Sequence, residues 1–241
     1  MKVEKRLSSH FTTLATFTWA KLMSNFSDAP LSFVGNHAGV VQDWRNPEFE
    51  HSVSPQDVNH SFTWQASYDL PFGAGRAVNF SGWKNEAFGG WTVNTIAYLN
   101  GGVPVAVPGA AGNPIFSQRV DMTCNPGKTA KHRVDQWFDY TCFAQPASQF
   151  AAGKSPRMLS SVRTDGANDL DMSIYKSVHI GGDRSLRLEV STYNVTNSVQ
   201  FGNPSVFWRA NPTADNMAGF GQITSDVNTP RQFQFASRFT F

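Results

Sequence analysis

An alternation of apolar and polar side chains with a period of two recurs along this chain, and it limits the possible folds more than any other feature. In residues 232–241, phenylalanine takes every second position except Ser237, and the positions between hold polar residues or alanine. Because successive side chains of a strand point to opposite faces, the pattern predicts a β-strand with one aromatic and one polar face. Similar stretches occur at 61–70, 169–180 and 186–193, with weaker ones at 10–23 and 91–100 and the tail of a further strand in residues 1–6.

These stretches predict about seven antiparallel strands, most of them about 10–14 residues long. Strands in soluble proteins average about 5–6 residues, whereas a tilted strand needs about 9–11 residues to cross a bilayer. The strand length therefore favours an all-β fold in which the strands form part of an antiparallel, up-and-down transmembrane β-barrel.

The connections between the predicted strands alternate in length. Short or moderate ones are expected near 7–9, 71–89 and 181–183, and long ones rich in Gly, Pro and Asn at about 24–57, 102–166 and 202–228. Bacterial outer-membrane barrels have short periplasmic turns and long extracellular loops. We therefore expect all three long connections on the extracellular side.

The segment Gly181-Gly182-Asp183 gives a test of strand register. If Val178 and Leu186 are to lie on the same face, the loop between their strands needs an odd number of residues, because a slip of one residue exchanges the faces. A three-residue loop with glycine in the left-handed conformation is a common solution. The sequence predicts a hairpin here.

Composition excludes several classes of protein. Charged residues are 16% of the 241 residues, the net charge is +2 and the sequence has no basic stripe, so we expect no nucleic-acid partner. No run of about 18 apolar residues could form a transmembrane helix. The mean hydropathy of −0.33 is compatible with barrel strands that alternate in polarity. Motifs of enzyme and cofactor sites are missing, so we expect neither catalysis nor a cofactor.

Residues 1–6 have no apolar core and do not form a signal peptide. An outer-membrane barrel needs such a peptide, so either the barrel interpretation is wrong or residues 1–241 are a segment of a longer protein.

The polar faces carry charged groups that a water-filled barrel interior accepts but a dry core does not. The residues expected to face the lumen are Asp169, Asp171, Arg187, Glu189 and Arg238. Aromatic residues expected near strand ends, in girdles at the membrane interface, are Trp19, Trp64, Tyr68, Phe72 and Trp91. Lys176 falls among apolar residues, and we expect its amine to reach the headgroups at the periplasmic end of its strand.

Cys124 and Cys142 are the two cysteines of the chain, 18 positions apart in a polar stretch. One interpretation is a loop disulfide, which implies an oxidising compartment such as the periplasm or the cell surface. The other is two free thiols. His132 and Asp135 lie nearby, but the spacing fits no standard zinc site, and we expect no metal.

A series of short segments follows one another in a fixed order along residues 5–241. The segments are Tyr68-Asp69-Leu70-Pro71-Phe72-Gly73-Ala74-Gly75, Gly89-Gly90-Trp91, Asn100-Gly101-Gly102-Val103-Pro104, Trp137-Phe138-Asp139, Cys142-Phe143, Asn168-Asp169-Leu170-Asp171, Glu189-Val190-Ser191-Thr192-Tyr193-Asn194-Val195-Thr196-Asn197, Phe201-Gly202-Asn203-Pro204, Gly221-Gln222-Ile223 and Asn228-Thr229-Pro230-Arg231-Gln232. Together they resemble the TonB-dependent outer-membrane receptors that carry a carboxypeptidase-regulatory-like domain. Each segment is short, and their order and spacing make the resemblance specific.

The resemblance implies a 22-stranded barrel around a plug, of which residues 1–241 would be the C-terminal segment, without the plug and signal peptide. Its partners would be outer-membrane lipid, the remaining strands and plug, the TonB complex through the missing N-terminal part, and a scarce solute of unknown identity. The outer-membrane assembly machinery would read the terminal aromatic residues Phe235, Phe239 and Phe241.

Two other functions remain open. A secreted β-sandwich could bury the aromatic face as its core and bind carbohydrate through Trp137, Tyr140 and Trp208. A surface adhesin barrel would have the same wall but no transport.

Overall fold

The computed structural model describes residues 1–8, 10–25, 41–107, 119–148, 150–208 and 219–241, without the side chains of residues 4–8. Its strands are β1 (Lys2–Ser8), β2 (Phe11–Trp19), β3 (Met23–Ser24), β4 (Ser52–Val53), β5 (His60–Asp69), β6 (Trp91–Asn100), β7 (Pro104–Val105), β8 (Asp121–Met122), β9 (Phe143–Ala144), β10 (Leu159–Arg163), β11 (Asn168–Gly181), β12 (Arg184–Tyr193) and β13 (Gln232–Thr240). A short helix, α1 (Trp83–Phe88), and 3-10 turns at Pro47–Glu50 and Tyr140–Cys142 lie between strands.

Seven strands form one antiparallel sheet in the order β1-β2-β5-β6-β11-β12-β13. Each of them pairs with the next main strand along the chain, so the sheet is an up-and-down meander. The connections after β2, β6 and β12 are long and lie at one end of the sheet, and those after β1, β5 and β11 lie at the other end. The predicted all-β class, the number of main strands and the alternation of connections are confirmed.

The β11–β12 hairpin confirms the predicted register. Val178 pairs with Leu186, and Ile174 pairs with Val190. The turn closes on Gly182 and Asp183, with a bulge between His179 and Gly181. The bulge replaces the simple three-residue loop of the prediction and keeps the same side chains on each face.

The sheet remains open within the described residues. β1 and β13 lie at its two edges, and each pairs on one side only. An open edge presents unpaired backbone N–H and C=O groups, which must find partners from elsewhere when water is absent.

The hydrophobic core lies outside the main sheet. Among the residues whose burial is described, Ala97 is the only almost fully buried hydrophobic residue in a main strand, and the others come from the long connections. We call the described parts of these three connections the loop cap; they are residues 20–25 and 41–59, residues 101–107, 119–148 and 150–167, and residues 194–208 and 219–231. The sequence predicts them as loops only, and the structure gives them a core of their own.

Two clusters join the connections of the loop cap. The larger one packs Phe138 and Leu159 of the second connection against Trp208 and Phe220 of the third. Phe138 and Phe220 meet edge to face, with ring centroids 5.1 Å apart. The smaller cluster packs Val53 of the first connection against Ala106 and Met158 of the second. The second connection therefore bridges the other two.

A buried ion pair also joins the first and second connections. Arg119 donates from Nη1 to Oε2 of Glu50, and both side chains are at most 2% exposed. The other carboxylate oxygen of Glu50 accepts from the backbone N–H groups of Gln42 at 2.9 Å and Asp43 at 3.0 Å. A buried carboxylate is tolerated only when it is paired and hydrogen-bonded in this way.

Two further arginines hold the same connections together. Arg163 of β10 pairs with Asp57, whose side chain is 1% exposed, and it also donates to the carbonyl of Gly102 at 2.9 Å. Arg157 donates to the carbonyl of Ser24 at 2.8 Å. Each contact joins residues far apart in sequence, so these arginines fix the relative positions of the connections.

Replacing Glu50 tests the role of the buried pair. Glu50→Gln removes the negative charge that faces Arg119, and loss of one partner of a buried pair costs about 3–5 kcal/mol. We expect faster amide hydrogen exchange in residues 119–124, measured by mass spectrometry.

The matched control is Glu48→Gln on the same 3-10 turn, because the Glu48 side chain is exposed. Its exchange should equal that of the unmodified protein. Equal exchange in both variants would show that the pair does not stabilise the loop cap.

Candidate functional site

One face of the main sheet is largely apolar from β2 to β13. Cross-strand register places Phe17, Phe62 and Leu99 in one row, and Leu186 opposite Phe239 in another. Many of these side chains are exposed, for example Phe235 at 78% and Trp19 at 83%. Exposure of an apolar surface of this extent to water is unfavourable, so lipid or another protein surface must cover it.

The opposite face of the sheet is polar. All the charged residues that the sequence predicts to face the lumen share it, namely Asp169, Asp171, Arg187, Glu189 and Arg238. The Arg187 guanidinium lies 3.7 Å from the Tyr175 ring centroid and pairs with Glu189 at 3.0 Å. This pairing reduces the repulsion between Arg187 and Arg238, which are cross-strand neighbours.

Four of the predicted girdle residues share the apolar face, namely Trp19, Trp64, Tyr68 and Trp91. The fifth, Phe72, lies outside the main strands, in the β5–β6 connection. Trp19 ends β2, Trp91 begins β6, and Tyr68 is the residue before the last of β5. Trp64 lies in the middle of β5, between Ala15 and Ala97. Its indole N–H donates to Thr13 Oγ1 at 2.8 Å. Trp64 therefore does not lie near a strand end as expected, and its membrane depth stays a prediction.

Lys176 also differs from expectation. The sequence predicts that its amine extends into the headgroup region, but the side chain is only 7% exposed. Its Nζ donates to the backbone carbonyl of Glu86 in α1. The β5–β6 connection therefore covers this lysine and supplies its hydrogen-bond acceptor.

A cavity of about 440 Å³ opens on the polar face where β11, β12 and β13 meet the loop cap. Every residue that lines it carries an amide, carboxylate or hydroxyl group, namely Asn168, Asp169, Asp171, Tyr193, Asn194, Gln200, Asn228, Thr229, Gln232 and Gln234. Such groups both donate and accept hydrogen bonds, which suits a polar solute.

Asn194 organises the rim of this cavity. Its φ of +48° is unusual for a residue other than glycine. The strained backbone is held by hydrogen bonds from its N–H to Asp171 at 2.9 Å and from its side chain to the carbonyls of Ser198 and Thr229, at 2.9 and 3.1 Å. The end of β12 and the start of β13 are thereby joined.

A disulfide links Cys124 and Cys142 in the loop cap, with Cα atoms 4.9 Å apart. Asp139 caps the 3-10 turn that leads into Cys142 and accepts from the Thr141 hydroxyl at 2.7 Å. This hydrogen bond, with one from Thr129, holds the pKa of the Asp139 carboxyl below its ordinary value. Among the described residues, no three His, Cys, Asp or Glu side chains cluster as a metal site requires.

A family model described as an outer membrane beta barrel domain matches residues 1–234. The chain belongs to this family. Searches of curated proteins and of solved structures found no match.

Membership of the family places this barrel domain in the outer membrane. The apolar face of the sheet is then the surface that contacts lipid, and the polar face is the interior wall. The short connections lie on the periplasmic side and the loop cap on the extracellular side.

No α-helix in the described parts of the chain has the length and hydrophobicity to cross a bilayer.

The β-sandwich alternative is wrong. The remaining sheets of the described residues are two-stranded pairs, and none covers the aromatic face. Trp208 is 5% exposed inside the larger cluster, so it is unable to stack on a ligand. Trp137 is partly buried and donates to the carbonyl of Arg163, whereas Tyr140 is exposed.

Sequence analysis missed the residues that shape the loop cap, chiefly Glu50, Asp57, Arg119 and Arg163. The partners in these pairs are 69 and 106 positions apart, so no local pattern connects them. The sequence held one indication of these residues. Only 16% of the residues are charged, so charged residues within connections rich in Gly and Pro indicate a structural role.

Arginine substitutions on the two faces of β11 test which face contacts lipid. Ile174 is on the apolar face in the middle of the strand, and Ser173 is its neighbour on the polar face. Ile174→Arg should destabilise the folded barrel in lipid vesicles by about 2–4 kcal/mol, the cost of arginine on the lipid side at mid-membrane. Urea-induced unfolding of the full-length protein measures this free energy.

Ser173→Arg is the matched control and should change the free energy of unfolding little, because its side chain enters the water-filled interior. Equal destabilisation by the two substitutions would contradict the assignment of faces.

Proposed function

We propose that this chain is the C-terminal barrel segment of a TonB-dependent receptor, of the type with a carboxypeptidase-regulatory-like domain, which takes up a scarce solute. In this function the loop cap captures the solute outside the cell. Energy relayed through TonB then rearranges a plug inside the barrel and admits the solute.

The observation that carries the proposal is an open sheet of seven strands beneath a folded cap. Bacterial single-chain barrels have at least about eight strands, and an open edge is not tolerated in lipid. Further strands must therefore complete the wall. Barrels of 22 strands with a plugged lumen form one class of transporters in this membrane, and the sequence motifs resemble those of this class.

The contacts of the motif residues support the proposal. Asp171 of Asn168-Asp169-Leu170-Asp171, Asn194 of the β12 motif and Thr229 of Asn228-Thr229-Pro230-Arg231-Gln232 meet in one hydrogen-bond network. Arg231 also donates its backbone N–H to Asn197 at 3.1 Å. Segments on which the resemblance rests, separated by tens of residues, thus form one structural unit at the rim of the polar cavity.

The terminal aromatic residues have a place in the same proposal. Phe235, Phe239 and Phe241 are 78%, 51% and 91% exposed on β13 and immediately after it. An exposed row of aromatic residues on an edge strand is available to the outer-membrane assembly machinery before it contacts lipid.

The incomplete wall gives one prediction. The 241-residue chain, purified alone and added to a planar bilayer, should give no single-channel current, because its two sheet edges lack partners. The control for insertion is the full-length protein with its plug deleted, because a closed barrel without a plug should conduct. Regular currents from the chain alone would show that it closes a pore without further strands.

Dependence on TonB tests the transport function itself. Strains with and without the intact gene, each in backgrounds with and without TonB, are grown with one nutrient limiting at a time. The panel contains cobalamin, ferric siderophores, oligosaccharides and peptides. We expect one nutrient to support growth only when both the gene and TonB are present.

An adhesin would give a different result. Loss of the gene would then reduce surface attachment without any nutrient-dependent defect, and removal of TonB would have no effect on attachment. That outcome would replace the transport proposal with the adhesin function.

A further inference from the structure

We propose that the β5–β6 connection, residues 70–90, docks onto the periplasmic leaflet of the outer membrane through exposed apolar side chains on and around α1. We call this segment the periplasmic anchor. The proposal rests on the barrel family and its orientation and does not depend on transport by TonB.

Two hydrogen bonds place α1 on the lipid side of the wall. The Trp91 indole N–H donates to the carbonyl of Ala87 at 3.0 Å, and the Lys176 amine donates to the carbonyl of Glu86. Trp91 and Lys176 are cross-strand neighbours on the apolar face. The last turn of a helix has carbonyls without helical partners, and here side chains from the apolar face satisfy two of them.

The same segment leaves large apolar side chains in contact with solvent. Trp83 is 71% exposed, Phe88 55%, Val78 41% and Phe72 36%. Phe80 joins two of them, since its ring centroid lies 6.1 Å from that of Phe72 and 6.3 Å from that of Phe88. A connection that only reversed the direction of the chain would not require exposed aromatic side chains.

The backbone of the periplasmic anchor is built to hold this surface in place. A helix of six residues has little stability of its own, so contacts with the rest of the connection must hold it. One of these contacts is the hydrogen bond that the Asn85 side chain accepts from the Ala74 N–H at 2.7 Å. Gly73 and Gly89 approach so closely that a Cβ on Gly89 would lie 2.6 Å from the Asn85 side chain and 3.0 Å from the Gly73 Cα. The two legs of the connection thus form one rigid unit.

The periplasmic leaflet is the occupant that this geometry fits. The aromatic surface continues directly from Trp91 and the lipid-facing side of the sheet, on the side of the short connections. Tryptophan is favoured at the boundary between lipid and water. Lys84 follows Trp83 on the exposed part of α1, where a long side chain can reach the headgroups while its stem lies on apolar surface.

Spin labelling of the full-length protein in phospholipid vesicles tests the proposal. Trp83→Cys provides an attachment site for a nitroxide, because Cys124 and Cys142 of this segment are bonded to each other and free cysteines elsewhere in the full-length protein are replaced by serine. Relaxation of the label by dissolved oxygen, which concentrates in lipid, is compared with relaxation by a water-soluble nickel complex. We expect a higher oxygen-to-nickel ratio than at a water-facing position.

Ser177→Cys is the water-facing control. Ser177 neighbours Lys176 in β11 at nearly the same membrane depth, but it lies on the polar face. Phe88→Cys is a second reporter from the same surface, in case Trp83→Cys does not fold, and the different gel mobilities of heated and unheated samples verify folding.

Two results would overturn the proposal. A label at position 83 or 88 that is as accessible to nickel as the label at position 177 would show that the periplasmic anchor lies in water. A label shielded from both oxygen and nickel would show that protein, and not lipid, covers this surface.

Discussion

The need to pair every backbone N–H and C=O group inside a bilayer governs this structure. It explains why the main strands run for up to 14 residues and why each pairs with its neighbour along the chain. It also explains where regular structure ends, because beyond Trp19, Asn100 and Tyr193 the backbone can pair with water or with side chains. Since lipid covers one face of the sheet and the interior wall is polar, the hydrophobic core of the protein lies in the loop cap.

Charges serve different purposes in the two parts of the chain. On the interior wall Arg187 and Glu189 remain partly exposed, and their pair shields like charges from each other. In the loop cap Glu50 and Arg119 are almost wholly buried, so their hydrogen bonds must replace the water they have lost. Arginine and glutamate therefore reduce charge repulsion on the interior wall, whereas in the loop cap they fix the positions of the connections.

Much of the wall could be predicted from the sequence, because alternation and turn residues are local signals. The register of β11 on β12 follows from the spacing around Gly182, and the aromatic face of β13 is visible in residues 233–241. The acceptor of Lys176 is a carbonyl 90 positions away, and the partners of Arg119 and Arg163 are also remote. Contacts between residues so far apart in sequence produce no periodic pattern in the sequence. For Trp64, alternation gave the face but not its position along the strand.

The shared core of the loop cap affects how such a barrel protein can change during evolution. Because Phe138 packs on Phe220 and Val53 packs beside Met158, the three extracellular connections are not independent modules. Recombination that transferred one connection between homologues would introduce core side chains without the side chains of the other connections against which they pack. Changes in the extracellular surface are therefore expected to arise by point substitution at the exposed rim, or by inheritance of all three connections together.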